Sequence, residues 1–361
     1  MFIRYSSALL LCLSFIFTPA IAKDVSAKGQ WWFKAYPEKF DDKDLTNYMS
    51  AISVKGNKFV DEKGQTVVFR GMNLSDPDKL KKNGHWKEKH FKEAASWGAN
   101  IVRFPIHPIS WRYRGKEKYL ELLDDGVRWA NKYNMYVIFD WHSMGSIFDG
   151  VYQHEMYETD AIETRRFWQA IAFRYEGVNT VAFYELFNEP TDGDGRFGKL
   201  NWPQWKQFNE SLIDIIQSYD SNVVSLVAGF DWAYDLSAAR GDLIDRPNVA
   251  YVSHPYPQKA EGPKQQQLWE EKWGFITQSA PLMATEIGWM KDGERGAHYP
   301  VIDNEHIYGP AIIDYLEGKG ASWVAWVFDP DWTPNMYEGW KYEATEQGRF
   351  FKKTMLELNK P

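Results

Sequence analysis

The chain has 361 residues, 44% hydrophobic and 25% charged, enough to bury the core of one large domain or two ordinary ones. A formal net charge of −7 excludes the basic face or stripe that a nucleic-acid footprint needs. Aromatics reach 17%, with 18 Trp, so a large core can absorb most of them and still leave some as platforms for a flat apolar face such as a sugar ring.

The first 22 residues read as a secretory signal peptide. Arg4 supplies the basic start, an apolar run covers Ala8 to Phe17, and Ala20-Ile21-Ala22 is a small-residue cleavage site. The run is too short to span a bilayer, and no other apolar run is long enough for a membrane helix. The only cysteine, Cys12, leaves with the peptide, so the mature chain is expected to have neither disulfide nor thiol chemistry. Residues 23–50 form an aromatic-rich extension ("QWWFKAYPEKF") expected to pack on the domain that follows, residues 51–361. That domain begins with "ISVKGNKFVDEKGQ", whose two turn signals predict a hairpin.

From there two periodicities alternate. Short β-branched or aromatic runs recur at "TVVFRGMN", "NIVRFPI", "MYVIFDWHS", "TVAFYELFNEP", "VVSLVAGF", "VAYVSHPYP", "PLMATEIGW" and "SWVAWVF". They are apolar on both faces, as strands covered on both sides must be. Helical stripes lie between them: in "KYLELLDDGVRWANKY", Leu120, Leu123, Val127 and Ala130 recur at three- and four-residue steps. Gly98, Gly177 and Gly320 stand where helices should stop. Eight strands interleaved with helices predict an α/β fold, a (β/α)8 TIM barrel with the hairpin over the barrel floor. An open doubly wound sheet is the competitor, disfavoured because no glycine-rich phosphate loop follows the first strand.

In such a barrel the reactive side chains sit at the C-terminal strand ends. Those ends carry Arg103, Asp140-Trp141-His142, Asn188-Glu189-Pro190, His254-Pro255-Tyr256, Glu286-Ile287-Gly288-Trp289 and Trp326. In that order, with "GMN", "VRFPI", "DWHS", "YELFNEP", "HPYP", "TEIGW" and "WVAW", the sequence resembles glycoside hydrolase family 5, the cellulase-like retaining β-glycanases, over roughly residues 50 to 350. The resemblance implies that Glu189 is the acid/base and Glu286 the nucleophile, with Arg103, His142, Asn188, His254, Tyr256 and Trp326 supporting them or holding substrate. It implies no cofactor and no metal.

Retaining hydrolysis needs one carboxylic acid to protonate the leaving oxygen and one carboxylate to attack the anomeric carbon, about 5–5.5 Å apart. Arg103 and Tyr256 are expected to hold Glu286 as the anion. Asn188 would meet the sugar 2-hydroxyl, and Trp326 would floor the ring. Glu185, read as mid-strand, should point into the barrel and pair with Arg103 or Arg70, since an unpaired buried charge is costly. His142 and His254 lack metal-ligand spacing, and "HEMYE" at 154 lacks a second histidine. His85 and His90 are expected on an exposed helix face. Trp141, Trp232, Trp289 and Trp332 are candidate sugar platforms, while "NEPTDGDGRFGKLNW" and "DPDWTPNMYEGWKYE" should wall the cleft.

The expectation is therefore a secreted, extracellular or periplasmic, monomeric endo-β-1,4-glucanase. It would act on a polysaccharide or oligosaccharide of cellulose-like or mixed-linkage glucan, with no nucleic acid partner and no membrane span. A β-mannanase or exo-β-1,3-glucanase would use the same pair. A non-catalytic carbohydrate-binding barrel would keep the cleft and lose turnover.

Overall fold

Strands that are apolar on both faces can only lie between two covered surfaces, and the chain solves this by closing them on themselves. The structure, a computed structural model, describes residues 31–35, 37–191, 197–259, 264–290 and 307–360. The signal-peptide reading, Cys12 and the start of the extension lie outside the described residues. Eight parallel strands close a barrel in chain order. They are β1 (Arg70–Asn73), β2 (Ile101–Ile106), β3 (Tyr136–Trp141), β4 (Val181–Glu185), β5 (Val224–Ala228), β6 (Val249–Ser253), β7 (Leu282–Ile287) and β8 (Ser322–Ala325). β8 pairs back onto β1, Trp323 opposite Arg70, which completes the circle.

The helices cover the outside. Lys116–Lys132 buries Leu120, Leu123, Val127 and Ala130, the stripe read from its sequence. Tyr308–Lys319 stops at Gly320, whose φ of 65° is the left-handed turn that a glycine takes without strain. At Gly71 a side chain is excluded for another reason: a Cβ there would stand 1.9 Å from the Ile101 carbonyl oxygen of the next strand.

The floor is a three-stranded antiparallel piece, Ser53–Lys55, Lys58–Val60 and Thr66–Val67. "TVVFRGMN" is thus divided: Thr66 and Val67 belong to the floor, and the first barrel strand starts at Arg70. Between them Phe69 turns inward. Phe59, Phe69 and Phe183 meet edge to face with centroids 4.9–5.8 Å apart, in one core with Ile101, Ile138, Leu226, Val252, Met283 and Val324. The aromatic extension lies along two outer helices. The Trp31 indole donates to Glu163 (3.2 Å), the Phe40 amide to the Arg174 carbonyl (2.8 Å), and the Asn131 side chain accepts from the amides of Thr46 and Asn47. Among the described residues no helix is long and apolar enough to cross a membrane.

Candidate active site

The C-terminal rim holds a cleft of about 830 Å³, lined by Glu189, Glu286, His142, Tyr256 and Trp326 among others. Glu286 comes straight from β7. Glu189 does not come straight from β4, because that strand leaves the barrel after Glu185. The following residues form a second, short parallel pairing, Glu189 opposite Met144 and Pro190 opposite Gly145. The Asn188 amide donates to Trp141 and the Glu189 amide to Ser143, so the loop after β3 fixes where the Glu189 carboxyl stands. One carboxylate oxygen of Glu189, one of Glu286 and one ring nitrogen of His254 all lie within 4.8 Å of one another.

Arg103 lies under this pair. Its Nε and Nη2 donate to the two oxygens of Glu185 (2.7 and 2.9 Å), and Nη1 donates to Glu286 (2.9 Å) and Asn73 (2.8 Å). Nη2 also donates to the Asn188 side-chain oxygen (2.7 Å). Glu185 is therefore the last residue of its strand rather than mid-strand, and its partner is Arg103. Arg70 pairs with Glu317 instead (2.7 Å). Because Arg103 can only donate, the Asn188 oxygen must face it, and the Asn188 Nδ2 is left as a buried donor with no partner among the described residues.

The Tyr256 hydroxyl donates to Glu286 (2.9 Å). His254 Nδ1 stands 2.9 Å from Glu189 and 3.8 Å from Glu286. Its other nitrogen is 3.0 Å from the Thr285 hydroxyl, which donates to Glu185 (3.1 Å). Burial opposes a charge on His254, but Glu286, Glu185 and Glu189 outweigh it and push its pKa up to about 10. Burial raises the Glu286 carboxyl above its ordinary value, while His254, Arg103 and Tyr256 pull the other way and the charge of Glu189 adds to the rise. Burial likewise favours a neutral Glu185, yet Arg103 and His254 overcome it and hold that carboxyl below its usual value. Asp140 and His142 form a fully buried pair (2.6 Å); burial drives Asp140 well up against the pull of Arg103, and drives His142 well down.

All eight residues picked from the sequence meet here. Trp326, rather than Trp323, faces the cleft; its ring is near-parallel to those of His142 and Trp332 (6° and 13°). Trp323 is fully buried against Phe351 and bonds Glu317. Of the four candidate platforms, Trp232 and Trp332 line the cleft. Trp141 is stacked on Phe167 and Trp289 is packed against Phe350 and Phe351, both in the core. His90 is not exposed: it is fully buried against Phe328, and His85 is stacked on Trp340 at 3.5 Å. The helix Glu88–Ser96 turns His90, with Phe91 and Ala94, toward the core. Asn73, Asp140 and Thr285 lie within "GMN", "DWHS" and "TEIGW", but the sequence reading gave none of them a role, because their contacts are to side chains of other strands.

Glu189, His254 and Glu286 are also the described residues whose donor atoms could converge on a metal ion. With Arg103 bonded to Glu286 and His254 charged, the cluster already holds two cations, and a divalent ion would meet them directly. The charge balance suits a proton better than a metal.

A closed parallel barrel whose rim presents two carboxyls in one open cleft has the arrangement that paired-carboxyl hydrolysis requires. Residues 60–331 match the family described as Cellulase (glycosyl hydrolase family 5). An endoglucanase from Clostridium saccharobutylicum is 23% identical over 287 residues, covering 78% of this chain and 57% of its own length. Two further endoglucanases, from Evansella cellulosilytica and Butyrivibrio fibrisolvens, are covered over 42% and 46%, so the chain spans about half the length of these relatives. The solved β-glucanase SdGluc5_26A from Saccharophagus degradans is 50% identical with a TM-score of 0.87, covering 91% of this chain and 99% of that one. It has also been solved in complex with cellotetraose. The catalytic domain of Thermobifida fusca endoglucanase Cel5A, 18% identical with a TM-score of 0.66 over 84% of this chain and 97% of its own, shares the fold. The chain belongs to glycosyl hydrolase family 5.

Proposed function

We propose that the protein is an exported endo-β-1,4-glucanase that cleaves cellulose-like or mixed-linkage glucan by double displacement. The observation that carries the reading is the approach of Glu189 and Glu286 to within 4.8 Å around His254, in a cleft open to solvent. That separation fits attack by one carboxylate; an inverting enzyme would need about 6.5–9.5 Å to seat a water between the two.

In this reading Glu286 is the nucleophile, aimed at the anomeric carbon by the hydrogen bonds that Arg103 and Tyr256 donate to it. Glu189 delivers to the leaving oxygen the proton of its hydrogen bond with His254 Nδ1 and, in the second step, takes the proton of the incoming water and so restores that bond. The free Nδ2 of Asn188 suits a sugar hydroxyl, and Trp326 with Trp332 offers an apolar floor. The 50% identical relative solved with cellotetraose supports a β-glucan substrate. Export is supported by Arg4, the apolar run to Phe17 and the site at Ala20-Ile21-Ala22.

Hydrolysis of soluble cellulose, mixed-linkage glucan, mannan and laminarin, with the product anomer followed by NMR, tests the reading. β-Anomer released first from internal bonds of the first two substrates is expected. Initial α-anomer would overturn double displacement, and turnover confined to mannan or laminarin would overturn the substrate.

A further inference from the structure

We propose that Thr285 is a positioning residue whose hydroxyl, standing between Glu185 and His254, fixes a proton on His254 Nε2 and so leaves Nδ1 as the one nitrogen that faces Glu189 and Glu286. The inference rests on the reading of those two glutamates as the reacting pair.

The argument is one of donors and acceptors. Glu185 is bonded through both oxygens to Arg103 and is an anion, so it can only accept. The Thr285 hydroxyl is 3.1 Å from Glu185 Oε1 and 3.0 Å from His254 Nε2. It has one hydrogen. Turned toward His254, that hydrogen would leave the Thr285 lone pairs against a carboxylate inside a dry barrel. Turned toward Glu185, it leaves a lone pair for His254, and Nε2 must then carry the proton. A threonine holds this geometry firmly because its branched Cβ restricts the side chain, and the Thr285 carbonyl is pinned by the Asn73 amide (2.8 Å).

The consequence falls on Nδ1. It lies 2.9 Å from Glu189 and 3.8 Å from Glu286, so the only proton that His254 can give up is the one shared with the reacting groups. The charged and titratable groups facing the ring are Glu286 on β7, Glu185 and Glu189 at and beyond the end of β4, and Asp140 and His142 at the end of β3, with Arg103 of β2 across Glu185. Glu185 is thereby linked to Glu189 through two small groups, a hydroxyl and an imidazole. Without the hydroxyl the Nε2 proton has no acceptor within hydrogen-bond reach among the described residues, since Glu185 itself stands 3.6 Å away.

The test uses the intact protein with ¹⁵N-labelled histidine, His254 being assigned by its absence in His254→Gln. In the wild type both ring nitrogens should stay protonated to about pH 9. Thr285→Val, nearly isosteric, should lose the ring proton at least one pH unit lower. Its kcat on glucan should fall ten-fold or more with KM within two-fold, the loss growing as pH rises. Thr285→Ser should restore the titration and bring kcat within about three-fold of wild type. A wild-type spectrum with a bare Nε2 would overturn the proposal, as would a Thr285→Val protein with wild-type titration and rate. If Thr285→Val does not fold, the wild-type spectrum and Thr285→Ser still decide. The ring spectrum needs no turnover, so its failure sinks the tautomer lock alone, while an expected spectrum in a protein that releases no sugar from any glucan sinks the functional reading alone.

Discussion

Arg103 has five N–H donors, and all five are used: two on Glu185, one each on Asn73, Glu286 and Asn188. A buried guanidinium held this way is a rigid fork, and it sets the position of the Glu286 carboxylate and of the Asn188 amide beside Glu189. Glu185 supplies the charge that makes the arrangement tolerable. Glu185→Gln should therefore destabilise the fold by about 3–5 kcal/mol, because it leaves Arg103 under-compensated in the barrel. A urea titration would show it as a lower midpoint, and an unchanged midpoint would mean that the other partners of Arg103 suffice. The reacting pair makes a sharper prediction. Glu189→Ala should lose about 10²–10⁴-fold on glucan, whose leaving oxygen needs a proton, and far less on aryl glycosides with acidic leaving groups. Equal losses on both would rule out Glu189 as the proton donor. Glu286→Ala should lose turnover on both.

The strand pattern was legible at the scale of elements because the barrel strands are buried on both faces and carry near-continuous apolar runs; the candidate site was legible because ionisable and aromatic residues recur at the strand ends, where such barrels place their functional side chains. What escaped depends on contacts between distant segments. Nothing local in "TVVFRGMN" separates the floor residues Thr66 and Val67 from the barrel residues after Arg70. Nothing local in "YELFNEP" says that the strand ends at Glu185 and that Glu189 pairs instead with Met144 from the preceding loop. His90 looked exposed because its neighbours are lysines, while the aromatic wall that buries it, Phe328 and Tyr342, arrives 238 and 252 residues later (328 − 90 and 342 − 90). The floor itself yields a test. Phe59 fills the closed end of the barrel against Phe69 and Phe183, on the face opposite the cleft. Phe59→Ala should cost about 3–5 kcal/mol of stability and leave KM for glucan unchanged. Calorimetry together with steady-state kinetics checks both; a raised KM would mean that the floor transmits strain to the rim.

The whole molecule carries its pH dependence in the same few buried groups. Burial of His90 pushes its pKa down to about 3 from the ordinary 6.5, so below pH 6.5 the unfolded chain takes a proton that the fold refuses. Glu185, whose pKa is lowered below its ordinary 4.5, adds stability that is lost as pH falls under that value. Both terms weaken the fold in acid. His254 has the opposite sign. Its folded pKa of about 10 exceeds 6.5, so its contribution is complete below pH 6.5 and disappears as pH rises to about 10. Asp140 and His142 act in opposite directions: the raised carboxyl favours the fold less as pH climbs above its ordinary 3.8, and the lowered imidazole favours it more as pH climbs to its ordinary 6.5. His254 alone releases up to one proton on alkaline unfolding, a slope of at most about 1.4 kcal/mol per pH unit. Between about pH 4.5 and 6.5 the rise from His90 is offset by the raised carboxyl of Glu286, which favours the fold less as pH climbs. Stability should accordingly be broad and maximal across that interval and decline on both sides. Scanning calorimetry from about pH 4 to 10 checks it: Tm should fall steadily above pH 6.5, and that decline should shrink in His254→Gln. A Tm that stays level to pH 9 would mean that His254 is not charged in the folded protein.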